Sequence, residues 1–235
     1  MNRDVIIACD FKDKADTLAF LDRFQGKKPY VKIGMELFYG EGPDIVREIR
    51  VRGHEVFLDL KLHDIPNTVK KAMANLARLG VSMTNVHAAG TIDMMRAARE
   101  GLDAGSRGER TALIAVTQLT STSQERMQRE LLISHDIGET VAHYAKNAKE
   151  AGLDGVVCSP LEAGLVKAAC GTGFLCVTPG IRYPDGDMAD QSRVTTPQRA
   201  REIGSDYIVV GRPITAAPDP VQAYERVCRD FLGGV

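Results

Sequence analysis

Short β-branched runs alternate with longer amphipathic stretches from one end of the chain to the other. The candidate strands are "VIIACDF" from Val5, "YVKIGMEL" from Tyr30, "EVFLDLKL" from Glu55 and "MTNVHA" from Met83. Four more follow: "ALIAVTQL" from Ala112, "GVVCS" from Gly155, "FLCVTPG" from Phe174 and "YIVVGR" from Tyr207. Between them lie helical patterns such as "NTVKKAMANLARLG", in which Val69, Met73, Leu76, Ala77 and Gly80 recur at helical spacing. Gly53, Gly80 and Gly152 stand where a helix C-terminus favours glycine. Eight strand–helix units in 235 residues is about 29 residues per unit, close to a lean (β/α)8 barrel of typically ~250 residues. A doubly wound open sheet would also alternate, but it needs fewer strands and usually a glycine-rich first turn. The first strand here runs into "CDFKDKAD", which has no such turn. The pattern therefore predicts an α/β protein, a single-domain (β/α)8 TIM barrel over residues 1–235.

Two segments break the rhythm. Residues 120–138, "TSTSQERMQRELLISHDIG", form a polar insertion after the fifth strand that should hold a short helix. Residues 182–192, "RYPDGDMADQS", follow the seventh strand without any apolar period. No internal repeat, low-complexity tract or interdomain linker is legible.

Composition narrows the function classes. Apolar residues make up 44% and charged residues 26% of the chain, enough for a core in an ordinary globular protein. Thirty basic against thirty-one acidic residues leave a net charge of −1, so no overall field points to a nucleic-acid polymer or an acidic membrane. No apolar run approaches the roughly 20 residues of a membrane-spanning helix, and the N-terminus does not read as a signal peptide. The five cysteines are scattered, odd in number and without a CxxC pair, which reads as reduced thiols in a cytoplasmic protein.

Chemistry concentrates in "VFLDLKLHDIPNTV", residues 56–69. An apolar strand pattern is interrupted there by Asp59, Lys61 and Asp64, and charges are seldom buried unless paired. Side chains alternate along a strand, so Asp59 and Lys61 point to one side. Barrel active sites lie at the C-terminal strand ends, where Asp10, Lys32 and Arg212 also fall. An array of Lys32, Asp59, Lys61 and Asp64 would keep its charges ionised in a dry pocket, because each has a partner of opposite sign. "VVGRP" puts Gly211 where a backbone can approach a ligand and Arg212 where a guanidinium can clamp a phosphate. His87, in "NVHAAG", lacks Asp, Cys or His partners in the sequence and reads as a packed residue, not a metal ligand.

"DLKLHDIPNTV" resembles the signature of the orotidine 5′-monophosphate decarboxylase family, Asp-x-Lys-x-x-Asp followed by Ile-Pro-x-Thr. "ACDF", "VKIG", "TPGIR" and "VVGRPI" are similar to that family's bacterial branch, so the likeness spans the chain. The resemblance implies a cofactor-free, metal-free conversion of orotidine 5′-monophosphate to uridine 5′-monophosphate in pyrimidine synthesis. It implies that Lys61 protonates C6 of the pyrimidine as carbon dioxide leaves, that Asp59 sits against the substrate carboxylate, and that Lys32 and Asp64 hold the array. It further assigns Asp10 to the ribose, Thr120 to the pyrimidine, and Ile65 and Thr68 to substrate binding. Residues 182–191 become a lid, with Arg182 and Gln191 as its phosphate and base contacts. A homodimer is implied as well, with Asp64 and Thr68 entering the partner's site. The closest alternative is a metal-dependent sugar-phosphate relative. Such relatives generally place an acid where Lys32 stands, and a lysine there repels a cation. Glu36, the nearest acid, falls beyond the strand end. A non-catalytic phosphate-binding barrel would gain nothing from pairing Asp59 with Lys61.

Overall fold

The computed structural model describes residues 3–108, 110–183 and 194–233. Its eight strands are β1 (Asp4–Ala8), β2 (Tyr30–Gly34), β3 (Val56–Leu62), β4 (Met83–His87), β5 (Ala112–Val116), β6 (Gly155–Val157), β7 (Leu175–Thr178) and β8 (Tyr207–Val210). Each pairs in parallel with the next, and β8 returns to β1, so the sheet closes into the expected barrel. Strands buried on both faces need apolar residues at nearly every position, which is why Val5, Ile6 and Ile7 run consecutively with no exposed surface. Odd and even positions serve different layers. Val5, Ile7, Val31, Ile33 and Leu58 pack outward against the helices. Ile6, Tyr30, Phe57, Met83, Ile114 and Val177 fill the barrel interior.

Several strands are shorter than their apolar runs. β2 stops at Gly34, and Met35 already opens a helix, Met35–Glu41, that carries Glu36 in its first turn away from the strand end. β5 stops at Val116. The insertion after it contains the expected helix, Gln124–Glu130, capped by Ser123. Gly53, Gly80 and Gly152 adopt φ of 90°, 66° and 84°, the left-handed turn that ends a helix.

One helix pair bears on the site. Pro66 occupies the first turn of helix Pro66–Ala77, where its missing N–H is not needed. Helix Thr91–Gly105 packs directly on it. A side chain at Gly101 would collide with the Lys70 carbonyl, and one at Gly105 with the Ala74 carbonyl. The two backbones therefore touch where both glycines lack a Cβ.

Candidate active site

The alternation that sends Tyr30 and Phe57 into the barrel sends Lys32 and Asp59 the same way, one step nearer the C-terminal mouth. There the Lys61 ammonium donates to Asp59 Oδ1 at 2.7 Å. The Lys32 ammonium stands 3.5 Å from Asp59 Oδ2 and donates to Asp10 Oδ1 at 2.9 Å. The result is a row of alternating sign: Asp10, Lys32, Asp59, Lys61. Gly34 makes room for it, since a Cβ there would lie 3.2 Å from both Asp10 Oδ1 and Lys32 Nζ.

Burial alone would push the Asp59 carboxyl up. Lys32 and Lys61, with hydrogen bonds from Lys61 and Asn85, outweigh it and hold the group below the usual carboxylate range. Burial likewise opposes the Lys32 ammonium, and Asp59 and Asp10 overcome that, raising its pKa above the ordinary lysine value. Behind the row, burial pushes the Cys9 thiol up to about 12, so it is an inert packing group.

These charges line a cavity of about 530 Å³ at the mouth, within the size range of small-molecule sites. Thr120, Arg182, Gly211 and Arg212 line it as well, so the barrel brings together eight of the residues that the sequence singled out. A Cβ at Gly211 would meet only Ala8, at 3.6 Å, so the neighbouring side chains leave room there. Arg182 is 8% exposed, and its backbone N–H donates to the Thr195 carbonyl at 3.0 Å, which ties down one end of the segment after β7. Gln191, and with it most of the lid expectation, lies outside the described residues.

Asp64, Ile65 and Thr68 do not join this cavity. All three are exposed, Ile65 to 67%, and Asp64 accepts a hydrogen bond from the Ile65 N–H at 2.6 Å. Within one chain the row therefore ends at Lys61, and Asp10 extends it at the opposite end, beside Lys32. The strand that carries Asp59 and Lys61 has ended at Leu62, and Pro66 opens a new helix directly after Asp64 and Ile65, so the strand alternation that aims the row does not extend to them. His87 is half-buried and stacks on His63, with ring centroids 5.6 Å apart. Burial, then His63 and Lys61, push its pKa below the usual histidine value, so it is neutral at pH 7. Among the described residues, no three His, Cys, Asp or Glu side chains converge as a metal site.

Gln118 and Ser121 line the cavity and were not singled out from the sequence. Neither was Asn85, which is wholly buried on β4 and donates to Asp59 Oδ1 at 2.7 Å. Its signal was present: a polar residue in the apolar run "MTNVHA".

A family model described as orotidine 5′-phosphate decarboxylase / HUMPS family matches residues 3–227. Proteins named orotidine 5′-phosphate decarboxylase from Bacillus cereus (strain Q1) and Geobacillus thermodenitrificans (strain NG80-2) are each 56% identical to the chain. The first alignment covers 99% of both chains, the second 100% of this one and 99% of the other. The crystal structure of orotidine 5′-phosphate decarboxylase from Lactobacillus acidophilus superposes with a TM-score of 0.88 at 43% identity, over 98% of this chain and 99% of that one. An uncharacterized conserved protein from Geobacillus kaustophilus gives 0.87 at 52% identity, over 97% and 99%. With a closed parallel barrel, a paired charge row at its mouth and likeness along nearly its whole length, this chain belongs to the orotidine 5′-phosphate decarboxylase / HUMPS family.

Proposed function

We propose that the cavity decarboxylates orotidine 5′-monophosphate to uridine 5′-monophosphate, a step of pyrimidine nucleotide synthesis, without a metal or cofactor. The observation that carries this reading is the row Asp10, Lys32, Asp59, Lys61 held in contact on the cavity wall. In the reaction the bond between C6 and the carboxylate breaks and its electron pair stays on C6. The Lys61 ammonium gives its proton to that carbon, and carbon dioxide leaves. Negative charge thus moves from a carboxylate to a ring carbon. A preorganised cation aimed at the carbon stabilises the transition state more than the ground state. Asp59 keeps the Lys61 ammonium in place and faces the departing carboxylate, while Lys32 keeps Asp59 ionised.

The remaining cavity residues fall into supporting roles. Arg212 and Gly211 take the phosphate, as the loops after the last strands commonly do in barrels. Arg182 and Gln191 serve as phosphate and base contacts, Arg182 from the cavity wall. Thr120 meets the pyrimidine, and Asp10 meets the ribose while holding Lys32. Asp64, Ile65 and Thr68 serve the site of a second subunit in a homodimer. Their exposure on one helix start, Ile65 at 67%, supports that reading. The protein works in the cytoplasm, in keeping with its five free cysteines.

Lys32 also separates this reading from a metal-dependent sugar-phosphate reaction. Its ammonium occupies one side of Asp59 and Lys61 the other, so a divalent cation would meet two positive charges before it reached the carboxylate. The test is direct. Purified protein added to orotidine 5′-monophosphate should abolish the absorbance of the orotate chromophore. Unchanged absorbance at high protein concentration would refute the assignment.

A further inference from the structure

Asn85 lies on β4 with none of its surface exposed, behind the cavity wall, and its side chain makes two bonds to β3. Nδ2 donates to Asp59 Oδ1 at 2.7 Å, and Oδ1 accepts from the Lys61 backbone N–H at 2.8 Å. The orientation of this amide is forced, because a backbone N–H can only donate and an ionised carboxylate can only accept. Between the two bonds the ladder slips. Leu58 pairs with Thr84 and Leu62 with Val86, so β3 advances four residues while β4 advances two. Within that slip Lys61 takes φ 51°, a left-handed conformation that side chains other than glycine rarely adopt. The Asn85 amide supplies the acceptor for the Lys61 N–H inside the slip.

We infer that Asn85 is a positioning residue for the decarboxylation proposed above, on which this inference rests. It fixes the carboxylate plane of Asp59, with Oδ1 toward Lys61 and Oδ2 toward Lys32. It also pins the left-handed turn of backbone from which the Lys61 ammonium is projected. One buried amide thereby sets the relative placement of the acid that delivers the proton and the carboxylate that aims it. A buried asparagine with only a packing role would satisfy the same atoms, but its loss would lower stability without touching proton chemistry.

Two variants separate these roles. Asn85→Ala removes both bonds, and a misplacement of about 1 Å in the reacting groups should lower kcat roughly 100-fold. Affinity for uridine 5′-monophosphate should stay within about twofold of wild type, because the phosphate, ribose and base contacts are elsewhere. Asn85→Asp keeps the shape and the acceptor for the Lys61 N–H but sets a second carboxylate against Asp59. Two carboxylates so close cannot both ionise at ordinary pH, so the acid limb of the kcat profile should move up by about one pH unit or more. If Asn85→Ala does not fold, the isosteric Asp variant decides. Wild-type kcat with an unmoved acid limb in the folded variants, or a loss confined to melting temperature, would overturn the role of Asn85 while leaving the activity standing. A wild-type protein that consumes no substrate would overturn the activity itself.

Discussion

Replacing Lys32 with methionine should test how the charge row is held together. Methionine keeps an unbranched stem of similar length, so the change removes the charge with little loss of packing. Lys32 and Asp59 each have 11% of their side chain exposed, at 3.5 Å. At an effective dielectric of about 20 their attraction is about 5 kcal/mol. Asp10 adds less than Asp59, because 58% of its side chain is exposed and solvent screens it. Relief of the ammonium's own desolvation offsets part of the attraction. Asp59 also keeps Lys61 and Asn85, each at 2.7 Å. The net loss should therefore fall near about 3 kcal/mol, the low end for a broken buried pair. For a chain of this size that lowers Tm by about 6–12 °C. The pH dependence follows from the two shifts. The depressed native pKa of Asp59 contributes stability above the ordinary aspartate value of 3.8 and loses it as pH falls below. The raised native pKa of Lys32 contributes stability below the ordinary lysine value of 10.5 and loses it as pH rises beyond. The Tm deficit of Lys32→Met should thus be flat from about pH 5 to about pH 9 and narrow toward about pH 3. A scanning-calorimetry series measures this. A variant melting within about 2 °C of wild type at neutral pH, equivalent to 1 kcal/mol or less, would refute the paired-row account.

Lys61→Ala should abolish turnover with unchanged circular dichroism, because no other cation of the row stands on that side of Asp59; near-wild-type turnover would remove Lys61 from the proton-donor role. Activity should survive exhaustive treatment with EDTA, and recovery that required magnesium would favour the sugar-phosphate alternative. Finally, inactive Lys61→Ala and Asp64→Ala chains, unfolded together and refolded, should regain roughly a quarter of wild-type activity. Half of randomly paired dimers are mixed, and one of their two sites then has both residues intact. No recovered activity would place Asp64 in the site of its own chain.

The fold was legible because a parallel barrel strand, buried on both faces, writes itself as an apolar run, and eight such runs are hard to arrange otherwise. Strand ends were less legible. "YVKIGMEL" reads as one strand, but Met35 turns into a helix, since apolar residues do not reveal where backbone pairing stops. Asp59 and Lys61 stood out as charges in an apolar setting. Asn85 is uncharged and one strand away in space, so its link to them exists only once β3 and β4 pair. The left-handed Lys61 was equally hidden, because strict alternation assumes an unbroken ladder and the slip before Leu62 breaks it. Asp64, read as a charge of the array and by resemblance as one given to a second subunit, is exposed and does not line the cavity of its own chain.

The contact between helices Thr91–Gly105 and Pro66–Ala77 reaches further than packing. Its two points, Lys70 against Gly101 and Ala74 against Gly105, are one helical turn apart, about 6 Å along the axis. Two fixed points define a direction, so the contact sets the line of the helix whose first turn carries Thr68 and which follows directly on Asp64 and Ile65. A methyl group added at Gly101 alone would lift one point and tilt the helix against the other. In the proposed dimer the acid delivered to the neighbouring subunit is therefore aimed by two glycines that carry no charge and touch no substrate.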